Sequence, residues 1–148
     1  MPTPQQVAEA SRDAMWAQDR ASQALGIKVL DVGPGRARLQ MTVRPDMCNG
    51  HHLCHGGMIF TLSDSTFAFA CNSHNKVTVA NNCNITFVSS AREGDVLTAE
   101  AIERHRGGRS GVCDVTVTDQ TGRLIAVFRG HSTQIKGELV PGLTADGA

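Results

Sequence analysis

Asp64 stands in the middle of the most apolar stretch of this chain, with Phe60 about one helical turn before it and Phe67 about one turn after. An ionised carboxylate costs several kcal/mol to desolvate, so one in such surroundings is paired, protonated or functional. A paired or capping role is the plain reading. A base or nucleophile tuned by dry surroundings is the sharper one. Upstream, Gly56 and Gly57 open the same apolar segment. Free N–H groups at a helix N-terminus point outward along a favourable dipole, which suits a developing oxyanion. Glycine also lets a substrate approach the backbone closely. Asn49 offers both a donor and an acceptor for a water or a carbonyl. His55, just before Gly56, is placed to orient the loop or assist a leaving group.

Spacing constrains how these groups combine. Gly56 and Asp64 are eight residues apart, which separates them by roughly 12 Å along one helix. A carbonyl held by the Gly56 N–H cannot meet the Asp64 carboxylate of the same helix. If both act on one carbon, two copies of the helix lie antiparallel and each site takes one residue from each copy. The expectation is a homodimer with two symmetric sites.

The elements that must carry these residues follow from periodicity. Thr3-Pro4 reads as the N-cap and first residue of a helix. Val7, Ala10, Ala14, Ala17, Ala21 and Ala24 line one face of it, and Gly26 is placed to end it. Ile27 to Val32 reads as a strand. Ala37, Leu39, Met41 and Val43 then alternate with polar residues as a second strand. A polar loop from Asp46 to His55 leads to a helix from Gly56 to about Asn72, apolar nearly all round and so expected to be buried. Four further strands span Val77–Phe87, Val96–Arg104, Val112–Thr118 and Leu124–Ser132, with turns at residues 92–95, 107–108 and 119–122. One apolar helix among antiparallel strands predicts an α+β domain, a sheet curled around the helix over residues 1–137. From Glu138 to residue 148 the composition predicts a frayed tail.

Bulk properties narrow the partners. Lys plus Arg and Asp plus Glu both number 14, so no net field draws the chain toward nucleic acid or anionic lipid. No signal segment or run of some 18 apolar residues is present, so neither secretion nor a membrane span is expected. The five cysteines include no C-x-x-C pair, and a reduced, cytoplasmic setting fits them best. Cys48, His51, His52, Cys54 and His55 crowd together, but their spacing matches no regular zinc motif, and no metal is expected. Arg92, Arg106 and Arg109 on turns, with His131 on the last strand, could meet a phosphate-rich ligand such as coenzyme A.

The run from Asn49 through His55-Gly56-Gly57 to Asp64 resembles the signature of hotdog-fold thioesterases, within them the phenylacetic-acid degradation branch. Residues 67–73 and 127–132 support the same branch, and the likeness spans roughly Ser11 to Gly137. The resemblance implies hydrolysis of aryl- and phenylacetyl-CoA thioesters without a cofactor, by a homotetramer built of two hotdog dimers. It implies Asp64 as base or nucleophile, Gly56 as oxyanion donor, Asn49 positioning water or carbonyl, and His55 in support. Gly57, Phe60 and Phe67 are then expected at the substrate, although the phenylalanines are equally good core residues. Two other readings stand beside it: a hotdog hydratase or dehydratase using His55 and Asp64, and a non-catalytic acyl-CoA-binding module.

Overall fold

A computed structural model describes residues 1–145. Helix α1 (Pro4–Gln18) starts where the sequence places it. The Thr3 hydroxyl accepts from the Gln6 N–H at 3.1 Å, and the Gln6 side chain accepts from the Thr3 N–H at 2.9 Å, a reciprocal capping box. The helix does not continue to Gly26. Asp19 leaves helical geometry, and its carboxylate accepts from the Ser22 N–H at 3.0 Å and the Ser22 hydroxyl at 2.6 Å. It thereby caps a short second helix, α2 (Arg20–Ala24). The expected face is also rotated. Val7, Ala8 and Ser11 are buried, whereas Ala17, Ala21 and Ala24 face solvent. Alanine misleads here because it favours a helix on any face and has little surface to hide.

Strands β1 (Lys28–Gly33) and β2 (Arg36–Thr42) follow, then helix α3 (Gly56–Cys71) and strands β3 (Thr78–Phe87), β4 (Val96–Gly107), β5 (Ser110–Thr118) and β6 (Leu124–Gln134). All six strands form one antiparallel sheet in the order β1-β2-β4-β5-β6-β3. The sheet wraps α3, which touches every strand, so the expected α+β architecture holds. Ala37, Leu39 and Met41 of β2 point inward as their alternation predicts, joined by Leu97 and Ala99 of β4 and Val115 and Val117 of β5.

Close packing of α3 depends on one glycine. A Cβ on Gly130 would stand 2.7 Å from the Phe67 ring, so this aromatic lies on bare β6 backbone. Gly130→Ala is expected to cost about 1–3 kcal/mol of stability through overpacking. Chemical denaturation of the two proteins measures it, and an unchanged midpoint would contradict the packing.

Strand β3 is an unpaired edge, and most of its residues are exposed. Val79, Phe87 and the following Val88 are 43%, 49% and 51% accessible, an unusual apolar load for an unprotected edge. At the other end, residues 138–143 do not fray as composition suggests. Buried Asn75 donates to the Val140 and Leu143 carbonyls at 2.8 Å each and accepts from the Val140 N–H at 2.8 Å. A buried carboxamide needs such partners, and the tail supplies them. Residues 146–148 of the expected tail lie outside the described residues. Among the described residues no helix is long and apolar enough to cross a membrane.

Candidate active site

His55 is the N-cap of α3. Its Nδ1 accepts from the Gly57 N–H at 3.0 Å, and its carbonyl accepts from the Met58 N–H at 2.9 Å. An accepting Nδ1 leaves the proton of the neutral ring on Nε2. The cap also consumes the N–H of Gly57, so Gly57 contributes room rather than a donor. The Gly56 N–H, by contrast, has no partner among the described residues. It lies in the first turn, where the helix dipole favours negative charge. A Cβ at Gly56 would stand 2.9 Å from the tip of the Phe87 ring, so the half-exposed ring would have to shift to admit one.

Gly56 lines an open cleft of about 280 Å³ between the Asn49 loop and the segment from Phe87 to Ala91. Leu53 and Ile59 complete its apolar wall. Asn49 lines this cleft, with its chemistry narrowed. Its Oδ1 accepts from the His51 N–H at 2.9 Å and the Leu53 N–H at 3.3 Å, closing the loop. Only Nδ2 is left without a partner among the described residues. Asn49 can therefore donate to a carbonyl oxygen, but it has little capacity left to accept from a water.

Asp64 lies further along α3, on the less buried stripe that includes Gly57, Thr61 and Ala68. It is half-buried in one chain and has neither a hydrogen-bond nor an ion-pair partner among the described residues. Burial raises its pKa above the ordinary aspartate value. Asp64 is not among the residues lining the Gly56 cleft. The structure thus brings Asn49, His55 and Gly56 together and leaves Asp64 apart, as the helical spacing requires.

The remaining candidates divide. Phe60 is half-buried and stacks edge-on against Phe128, with ring centroids 5.4 Å apart. Phe67 is 1% accessible and packs on Gly130 and Phe128. In this chain it is core, not a wall of the cleft, because its position on α3 points it straight at β6. Arg92 borders the cleft, since its backbone pairs with Leu53. Arg106 and Arg109 sit on the β4–β5 hairpin beside Cys71, at the opposite end of α3. His131 is exposed on β6. A helix the length of α3 spans over 20 Å, so these three do not reach the Gly56 cleft of their own chain. Sequence reasoning missed Phe87 and the backbone from Ser89 to Ala91. Phe87 ends an ordinary-looking strand, and nothing in its neighbours marks it as a cleft wall. Among the described residues no three His, Cys, Asp or Glu side chains gather as a metal site would need.

Residues 51–126 match the family model described as the thioesterase superfamily, and this chain belongs to that superfamily, with the hotdog fold. It is 43% identical to the acyl-coenzyme A thioesterase PaaI of Escherichia coli over 85% of this chain and 90% of that protein. The solved structure of E. coli PaaI, from the phenylacetic acid degradation operon, superposes with a TM-score of 0.88 at 42% identity, covering 89% of this chain and 96% of the other. Human acyl-coenzyme A thioesterase 13 is 31% identical over 70% of this chain and 76% of its own length.

Proposed function

We propose that this protein is an acyl-CoA thioesterase that hydrolyses phenylacetyl-CoA or related aryl and medium-chain acyl-CoA thioesters to the free acid and coenzyme A, in phenylacetate degradation. The observation that carries this reading is the Gly56 N–H at the start of α3, without a partner among the described residues and in the same cleft as Asn49, whose Nδ2 is a donor. The two similar thioesterases named for acyl-coenzyme A support the substrate class.

In this reading the thioester carbonyl oxygen lies against the Gly56 N–H and Asn49 Nδ2. Charge develops on that oxygen as the carbon becomes tetrahedral, and both donors are fixed before it does. Asp64 from the partner copy takes a proton from water as the water oxygen bonds to the carbon, or attacks that carbon directly. Direct attack gives an acyl–Asp64 anhydride that water then hydrolyses to the free acid, regenerating the carboxylate. On either route the C–S bond breaks and coenzyme A leaves as thiolate, to be protonated. The reaction draws on no cofactor.

The dimer rests on two features. Gly56 and Asp64 are too far apart along α3 to serve one carbon, and the apolar edge of β3 is open for pairing with a second copy. Two antiparallel α3 helices that set Gly56 of one beside Asp64 of the other place their dyad near Phe60. The C-terminal end of one α3, with Arg106 and Arg109, then approaches the Asn49 loop of the other, where coenzyme A phosphates would lie. Two such dimers form the tetramer.

The test is a panel of acyl-CoA thioesters with release of free thiol followed for wild type and Asp64→Asn. Turnover lost in the variant supports the reading, and no turnover of any thioester by wild type would overturn it. A pH profile adds a second check. Burial raises the Asp64 pKa, and a base works only when deprotonated. Therefore kcat/KM should rise with pH through an apparent pKa above the ordinary value of about 3.9. An acid limb at or below the ordinary aspartate range would exclude Asp64 as the desolvated base.

A further inference from the structure

Cys48 and Cys54 face each other across the neck of the loop that carries Asn49. The Asn49 N–H donates to the Leu53 carbonyl at 2.8 Å, and the His55 N–H donates to the Met47 carbonyl at 2.7 Å. Those two bonds flank the cysteines and make them a non-hydrogen-bonded antiparallel pair. Such pairs hold their Cα atoms about 4.5 Å apart with both side chains on one face. A disulfide spans Cα separations of roughly 4.4–6.8 Å. Both cysteines are free, Cys48 half-buried and Cys54 buried. Their thiols make only long contacts, Cys48 to the Arg44 carbonyl at 3.6 Å and Cys54 to the His55 carbonyl at 3.7 Å. Little is lost when those protons leave.

We propose that Cys48 and Cys54 are a reversible disulfide site, closed by a low-molecular-weight disulfide such as oxidised glutathione, that controls the Asn49 loop. The control rests on the proposed role of that loop in thioester hydrolysis. The more exposed Cys48 reacts first. Its thiolate attacks one reagent sulfur, the reagent S–S bond breaks, and one small thiolate leaves and is protonated. The Cys54 thiolate then attacks the Cys48 sulfur and expels the second small thiol. Two protein thiols are oxidised and one reagent disulfide is reduced. Burial pushes the Cys54 thiol up to about 11, so Cys54 does not meet the reagent first and reacts only once the mixed disulfide on Cys48 stands beside it. Cys71 and Cys113 are buried too, with thiols pushed up to about 12, and do not compete for the reagent.

Closing the bond moves the site. Facing residues of a non-hydrogen-bonded pair hold their Cβ atoms at the short end of about 4.5–5.5 Å, whereas a disulfide averages about 3.8 Å. The neck tightens by roughly 0.7 Å, shifting Asn49 on one side and His55 and Gly56 on the other. Misplacement on that scale costs up to about a hundredfold in rate. We expect kcat to fall by about tenfold on oxidation and to recover fully with dithiothreitol.

The experiment treats the intact protein with oxidised glutathione, maps linked peptides by mass, and assays turnover before and after reduction. The expected result is a linked Cys48–Cys54 peptide together with a reversible fall in kcat. A Cys48→Ser variant should keep its reduced-state activity and ignore the oxidant. Thiols that stay free at both positions would overturn the proposal. So would a linked peptide without a change in kcat, or a Cys48→Ser variant inactivated as strongly as wild type. The linkage is read by mass whether or not a thioester is hydrolysed. A reduced protein without hydrolysis would instead overturn the proposed function.

Discussion

Replacing Asp64 by Asn should lower kcat by about a hundredfold or more, the loss expected when a general base or nucleophile is removed. The side chain keeps its size, and Asp64 forms no ion pair or hydrogen bond among the described residues that asparagine would break. Removing a half-buried charge should leave stability unchanged or slightly raised, because burial already works against that charge. Activity and stability therefore separate. A structural carboxylate would show the opposite pattern, lost stability with retained turnover. Measuring kcat beside a denaturation midpoint for the same preparation distinguishes the two, and full activity in Asp64→Asn would remove Asp64 from the mechanism.

Gly56→Val should cause the second large loss, on the order of a hundredfold in kcat, near that of removing one oxyanion donor. The N–H survives the substitution, but it can no longer be reached. A Cβ at this position already meets the Phe87 ring at 2.9 Å, and the branched side chain would fill the space where a carbonyl approaches. The control is Phe87→Ala in the same background, which relieves the clash with the ring but not the obstruction of the N–H. If the double variant regained wild-type turnover, the ring and not the donor would be what Gly56 serves.

Much of this architecture was legible in the chain because period and burial coincide. The alternation of Ala37, Leu39 and Met41 against Arg36, Arg38 and Gln40 could bury only one set, and the sheet buries that set. The apolar run after Gly57 reads as a core helix, and the lone carboxylate within it stands out for the same reason. Where local chemistry competes with period, the pattern misleads. Asp19 broke the first helix by capping the next one, and an alanine stripe concealed which face was buried. Phe67 could not be assigned to core or cleft without knowing that Gly130 offers it bare backbone. The tail beyond Glu138 reads as loose until Asn75, distant in sequence, is seen to need its carbonyls.

The site itself was legible in its parts and in its spacing, and less so in its division of labour. Asn49 looked able to accept or donate, and only the folded loop shows its oxygen spent on the His51 and Leu53 N–H groups. His55 looked like an acid or an orienting group, and the structure makes it the helix cap. The basic residues looked like one phosphate-binding set. Arg92 borders the cleft, whereas Arg106 and Arg109 lie at the far end of α3. Such groupings depend on topology and on a second copy, which no local pattern encodes.

The central claim is that each active site takes Gly56 from one chain and Asp64 from another. Co-producing Asp64→Asn and Gly56→Val chains in equal amounts tests it directly. Neither variant alone should turn over thioester appreciably. Free assembly joins an intact Gly56 to an intact Asp64 at about one site in four, so about a quarter of wild-type activity should return. If the mixture is no more active than the two variants assayed separately, the site lies within a single chain and this account is wrong.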